Sequence, residues 1–132
     1  MEELTERQVW QRVRGEAAAV ERLRACLADQ GALLTAYRSM ARRGGAWRRL
    51  YEGKLEQVAC LRGLMRVMTG QGAARPGGSG PADLMACFAR ERRLLAELTE
   101  LSRDAEYGSL FALLLNRQKT QCCLALELLG MG

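Results

Sequence analysis

This chain has no histidine at all, only two prolines and few aromatic residues. Without imidazole, the commonest neutral transition-metal ligand and the usual general base near pH 7 are both missing. No apolar run approaches the roughly 20 residues that a membrane-crossing helix needs. The first residues, Met1-Glu2-Glu3-Leu4-Thr5-Glu6-Arg7, lack a basic segment followed by an apolar one, so no secretory signal is expected and a cytoplasmic location is the default. No nucleophile stands with its base, and no zinc-ligand spacing is present. The Gly-rich stretch 70–80 has neither a preceding strand nor the Gly-Lys-Ser/Thr of a phosphate loop.

What the chain does have is helix-forming composition. It holds 132 residues, 48% of them hydrophobic, with Leu, Ala and Arg abundant. That length suits one domain able to bury a core without disulfide staples. Five cysteines, Cys26, Cys60, Cys87, Cys122 and Cys123, are odd in number and show no Cys-x-x-Cys spacing. They are read as reduced, small core residues. The net charge of +5 is modest, and its densest basic stretch is Arg38, Arg42, Arg43, Arg48 and Arg49. Lacking the interleaved aromatics of a stacking platform, it reads as a solvated helix end rather than a nucleic-acid surface.

Punctuation divides the chain into helices. Thr5-Glu6-Arg7-Gln8 has the form of a capping box and predicts a short N-terminal helix ending near Gly15, an arm over 1–15 packed onto the body through Trp10. A long helix is then expected over 16–43, stopped by Gly44-Gly45, and a second over 46–69, closed by Gly70. Residues 70–81 form a Gly/Pro-rich linker. A third helix is expected over 82–103, with Pro81 and Asp83 at its start, and a fourth over 109–129. Two short turns make two antiparallel helix pairs. A linker of about 12 residues spans up to ~40 Å, more than the ~33 Å of a 22-residue helix. It is therefore long enough to cross the bundle and set the third helix parallel to the second.

Each long helix carries an apolar seam at three- and four-residue steps, interrupted midway by polar side chains. The seams read Val20, Leu23, Leu27, Gln30, Leu34, Tyr37; Trp47, Leu50, Lys54, Gln57, Leu61, Leu64, Met68; Leu84, Cys87, Glu91, Leu94, Leu98, Leu101; and Phe111, Leu114, Gln118, Gln121, Ala125, Leu128. Burying polar groups costs free energy unless they are paired, so these six are expected to form one layer. The halves also resemble each other: Cys26-Leu27-Ala28-Asp29-Gln30 parallels Cys87-Phe88-Ala89-Arg90-Glu91, and Lys54-x-x-Gln57 parallels Gln118-x-x-Gln121. A two-helix unit repeated twice accounts for this.

The distribution of the six polar residues resembles that of the rubrerythrin-like branch of the ferritin-like superfamily. There, two helices each supply one Glu and the other two each supply Glu-x-x-His. The resemblance covers most of residues 16–130. It extends to Ala36-Tyr37-Arg38-Ser39-Met40-Ala41-Arg42-Arg43 and to Leu61-Arg62-Gly63-Leu64-Met65-Arg66-Val67-Met68-Thr69-Gly70. It implies an all-α ferritin-like four-helix bundle and a homodimer. Residue by residue, the first Glu position holds Gln30, the first Glu-x-x-His holds Lys54 and Gln57, the third-helix Glu remains as Glu91, and the second Glu-x-x-His holds Gln118 and Gln121. One carboxylate, a lysine and four amides do not suit two ferrous ions. A metal-free, non-catalytic protein is therefore expected, with Lys54 paired to Glu91 in the core, the four glutamines completing the network, and no cofactor. Two other classes stay open. One is a metal or redox protein built on the cysteines. The other is a small-molecule binder whose core pocket opens near Tyr37, Tyr51 and Trp47.

Overall fold

The computed structural model describes residues 5–70, 80–81, 83–104 and 106–131, with the side chains of all of these except 11–16 and 131. Among them the secondary structure is helical throughout, and no helix is long and apolar enough to cross a membrane.

Helix α1 runs over Glu6–Met40 and passes through a 3-10 turn, Ala41–Arg43, into the glycine turn. Its start is the expected capping box: Thr5 accepts from Gln8 N while the Gln8 side chain accepts from Thr5 N. Gly15 does not end a helix, so the separate N-terminal arm over 1–15 is replaced by the first turns of α1, with residues 1–4 outside the described part. A lone glycine costs about 1 kcal/mol in a helix, too little to stop one when Arg14 and Glu16-Ala17-Ala18-Ala19 favour it on either side. Trp10 does not pack onto the body either, and 57% of its surface is exposed. At 35 residues α1 is longer than any partner, so its first turns extend past them.

Helix α2, Ala46–Thr69, ends where Gly70 takes a left-handed φ of 74° and returns its N–H to Arg66 O. Helix α3 spans Leu84–Leu101, shorter than the expected 82–103. Asp83 lies in extended conformation and accepts from Ala86 N at 2.8 Å, so it is the cap itself rather than a first-turn residue, and Pro81 falls before the helix. Helix α4 covers Gly108–Met131, led in by Asp104, whose Oδ1 accepts from Tyr107 N at 2.7 Å.

The four helices form a bundle in which α1 adjoins α2 and α3, and α4 adjoins α2 and α3. Named contacts fix their directions. Between α1 and α3, Arg22 pairs with Glu97 at 2.6 Å, while Gly80, just ahead of α3, lies against Ala32 and Ala36. Those helices are antiparallel. Between α2 and α4, Gln121 donates to Leu50 O and Arg117 meets Cys60, so these also run in opposite directions. Because α2 and α3 both oppose α1, they point the same way across one diagonal, and Gly70 and Gly80 lie at opposite ends of the bundle. Much of the linker joining them, 71–79, is outside the described residues.

Every seam residue is buried or packed against the core, but on α1 it is Leu33, and not the adjacent expected Leu34, that is fully buried. Leu23, Leu33, Leu50, Leu61, Leu94, Leu98 and Phe111 are buried on either side of the polar layer. Each such side chain contributes about 1.5–3 kcal/mol through area removed from water. The Asp83 cap makes a local prediction. Asp83→Ala should lower stability by about 1 kcal/mol in urea unfolding, with an unchanged far-ultraviolet circular dichroism spectrum. A midpoint equal to that of the unsubstituted chain would show that α3 does not need the cap.

Candidate functional site

At mid-height the apolar core gives way to one polar layer drawn from all four helices. Gln30 comes from α1, Lys54 and Gln57 from α2, Glu91 from α3, and Gln118 and Gln121 from α4. Each is wholly or almost wholly shielded from solvent. Their seam positions explain this placement: a polar residue on the buried face of its helix cannot turn outward without exposing the leucines around it.

The Lys54 ammonium is the hub. It donates to Gln57 Oε1 at 2.7 Å, to Glu91 Oε1 at 2.6 Å, and to Gln30 Oε1. All three of its protons are thereby used. Gln118 is the second junction. Its Oε1 accepts from Gln57 Nε2 at 2.8 Å and from Gln30 Nε2 at 3.2 Å. Its Nε2 donates to Glu91 Oε1 at 2.9 Å and to the Glu91 backbone carbonyl at 2.8 Å. The amides of Gln30, Gln57 and Gln118 each donate and accept, so these residues close a ring with Lys54 and Glu91.

Two placements differ from the sequence expectation. Gln121 stays outside the ring and donates to Leu50 O at 2.9 Å. Its amide packs on Gly53, where a Cβ would strike Gln121 Oε1, so the missing side chain leaves room for the amide against α2. Tyr37, expected as an apolar seam residue or, in the small-molecule alternative, at an entrance, is fully buried and joins the layer by donating its hydroxyl to Glu91 Oε2 at 2.9 Å. The second carboxylate oxygen is thus satisfied. Tyr37 was missed as a member because tyrosine fits an apolar seam equally well; its position two turns from Gln30 was the available signal. Trp47 and Tyr51 are half-buried against the core, with the Arg43 guanidinium 4.6 Å above the Trp47 ring.

Electrostatics follow from burial. Removal from water holds Lys54 below the usual lysine range, and the neighbouring Glu91 carboxylate pulls the other way. Burial, reinforced by the Glu91 charge, pushes Tyr37 well above the usual phenol range, so it remains a donor. Lys54 is the one cation and Glu91 the one anion of the layer, and they lie in contact with no water-exposed surface on either side chain. An ion pair so placed is costly to break from one side, because the remaining charge stays buried.

The donor set does not suit a pair of transition-metal ions. An ammonium lies among the oxygens that would have to bind metal, only one carboxylate is present, and amide oxygens are neutral. The Lys54 amine is enclosed, and its protons are committed to Gln30, Gln57 and Glu91. The thiols are spread out: Cys26 and Cys87 are buried, Cys60 and Cys122 half-buried, and Cys123 exposed. Among the described residues, no three Cys, Asp or Glu side chains converge as a metal site requires. Burial, helped by Glu97, pushes Cys26 up to about 12, and burial with Glu91 pushes Cys87 up to about 11. These are poor nucleophiles at neutral pH.

Two measurements test the layer. Lys54→Met and Glu91→Leu should each lower stability by about 3–5 kcal/mol, and the double variant by clearly less than their sum. Single variants as stable as the unsubstituted chain would mean that the charges are not paired in the core. The thiols give an alkaline signature. Folded Cys26 and Cys87 keep their protons above the ordinary 9.0 at which the unfolded chain releases them. Their contribution to stability is complete below pH 9 and declines as pH rises from there to 11. The depressed Lys54 works in the opposite sense below its ordinary 10.5. Comparison with a Cys26→Ala/Cys87→Ala variant cancels the lysine. The variant's stability should fall less steeply between pH 9 and 11, by up to about 1.4 kcal/mol per pH unit for each thiol. Parallel profiles would place both thiols in contact with water.

No protein-family model, curated protein sequence or solved structure matches the chain.

Proposed function

We propose that this chain is a ferritin-like bundle whose two-metal centre has given way to a lysine-centred hydrogen-bond network. On this reading it serves as a non-catalytic binding or assembly module, acting as a homodimer in the cytoplasm. The observation that carries the reading is the closed ring around Lys54 Nζ, with Gln57 Oε1 at 2.7 Å and Glu91 Oε1 at 2.6 Å. Its five members, with Gln121 beside them, occupy the seam positions at which the resemblance puts two single Glu residues and two Glu-x-x-His pairs. The connectivity supports the same reading. Two antiparallel pairs are joined so that α2 and α3 run parallel across a diagonal, an arrangement that asks for one long crossover.

A lysine in this place does electrostatically what bound metal does in a carboxylate cage: it supplies positive charge between helices that would otherwise press acceptor oxygens together. It does so without redox chemistry and without an open coordination position, so the bundle keeps its shape and loses the reaction. The function then lies on the outer helix faces. Neither alternative gains from the geometry. The buried thiols are separated and proton-bound, and Tyr37 closes the core instead of opening it.

The test is made on protein grown with added iron. Elemental analysis should find far less than one iron, zinc or copper per chain, and light scattering should give twice the 14.6 kDa chain mass. Stoichiometric metal that resists chelation would overturn the metal-free reading. A mass of 14.6 kDa at every concentration would overturn self-association.

A further inference from the structure

The side of the bundle formed by α2 and α4 carries an apolar groove of about 270 Å³. Leu64 and Val67 of α2 and Leu110 and Leu113 of α4 line it, and Cys60 and Arg117 close one end. Three of these side chains are left in water: Val67 is 67% exposed, Leu113 63% and Leu110 41%. Gly80, where the connection from α2 reaches α3, is seated against α1, diagonally opposite α4.

The order of residues along α4 indicates what covers the groove. Leu110, Leu113 and Arg117 follow one another at steps of three and four along one side of α4, and Glu106 precedes Leu110 by four residues in the turn that leads into the helix. Read backwards, the spacing is the same and the charges are exchanged. An antiparallel second α4, related by a twofold axis passing between Phe111 and Ala112, would set Glu106 of each copy beside Arg117 of the other. The same operation sets Leu110 of each copy beside Leu113 of the other. Glu106 is exposed, with its N–H held by Asp104 Oδ1 at 2.9 Å. Arg117 is held at the rim by Cys60 Sγ at 3.2 Å and by a loose, solvent-exposed contact to Glu56 at 3.7 Å. Such a contact is weak, so the guanidinium remains free to take a second carboxylate. An apolar centre flanked by opposite charges that exchange under a twofold is the pattern of an isologous interface.

We propose that the α2–α4 groove is the seat of a second copy of this chain, docked through antiparallel α4 helices with reciprocal Glu106–Arg117 pairs. The proposal rests on the assembly reading above and names its surface.

Sedimentation equilibrium over a range of concentrations tests it, using the full chain, Leu113→Glu, Glu106→Arg, Arg117→Glu, and an equal mixture of the last two. The unsubstituted chain should approach twice 14.6 kDa, and Leu113→Glu should remain at 14.6 kDa with its helical spectrum intact. Each charge variant alone sets like charges together and should dimerise at least about tenfold more weakly. The mixture restores both opposite-charge pairs in a heterodimer and should recover the affinity, an outcome that loss of folding cannot imitate. If Leu113→Glu stays dimeric, or the mixture is no tighter than its components, self-association uses another surface: the groove assignment falls and the assembly reading stands. If the unsubstituted chain is monomeric throughout, both fall and the groove belongs to a different partner.

Discussion

Taking a lysine ammonium out of water is among the more expensive things a small domain can do, and this bundle does it at its centre. The cost is offset only if every proton of Lys54 finds an acceptor and one acceptor is charged, and those acceptors come from three helices. Gln30 on α1, Gln57 on α2 and Glu91 on α3 must therefore stand at one height, and Gln118 on α4 ties the ring shut. Leucines tolerate a helix sliding by part of a turn, because apolar contact has little direction. A hydrogen-bond ring does not. The layer consequently sets the register of all four helices, while the leucines above and below supply most of the free energy of association.

The layer also works where backbone packing cannot. α2 and α3 lie across one diagonal and α1 and α4 across the other, with no close backbone approach between diagonal partners among the described residues. Lys54 to Glu91 spans the first diagonal, and Gln30 to Gln118 spans the second. The two spans meet through Lys54 and Gln30 and again through Gln118 and Glu91, so displacing one helix disturbs both. Tyr37 extends the ring toward the α1–α2 turn by engaging the outer carboxylate oxygen, leaving Glu91 no free oxygen with which to draw in water or a cation.

The polar groups of this core are shielded from solvent, which directs attention outward. The amine and the phenol are both enclosed, and the buried thiols hold their protons far above neutral pH. Among the apolar side chains left exposed are Trp10 on the overhanging first turns of α1, Val67, Leu110 and Leu113 on the α2–α4 side, and Met85 and Leu126 elsewhere. Contact with another molecule is the natural use of such surfaces.

Read as a string, the residues already contained the helix periods, the stops at Gly44-Gly45 and Gly70, the all-α class and the six interrupting polar positions. All of these depend on neighbours one to four places apart, where spacing translates directly into geometry. Gly15 misled because glycine punctuates a helix only when its surroundings agree, and the Ala-rich run after it did not. Everything that required two helices at once was decided by tertiary structure. Whether Gln121 joined the ring or turned to Leu50 O depended on how α4 lies beside α2, where Gly53 leaves room for the amide. Whether Tyr37 lined an opening or closed the core depended on how far Glu91 reached across from α3. Local spacing states which side of a helix a residue occupies. Only packing decides which partner waits there, because hydrogen bonds are directional over a few tenths of an ångström and the sequence carries no distances between its segments.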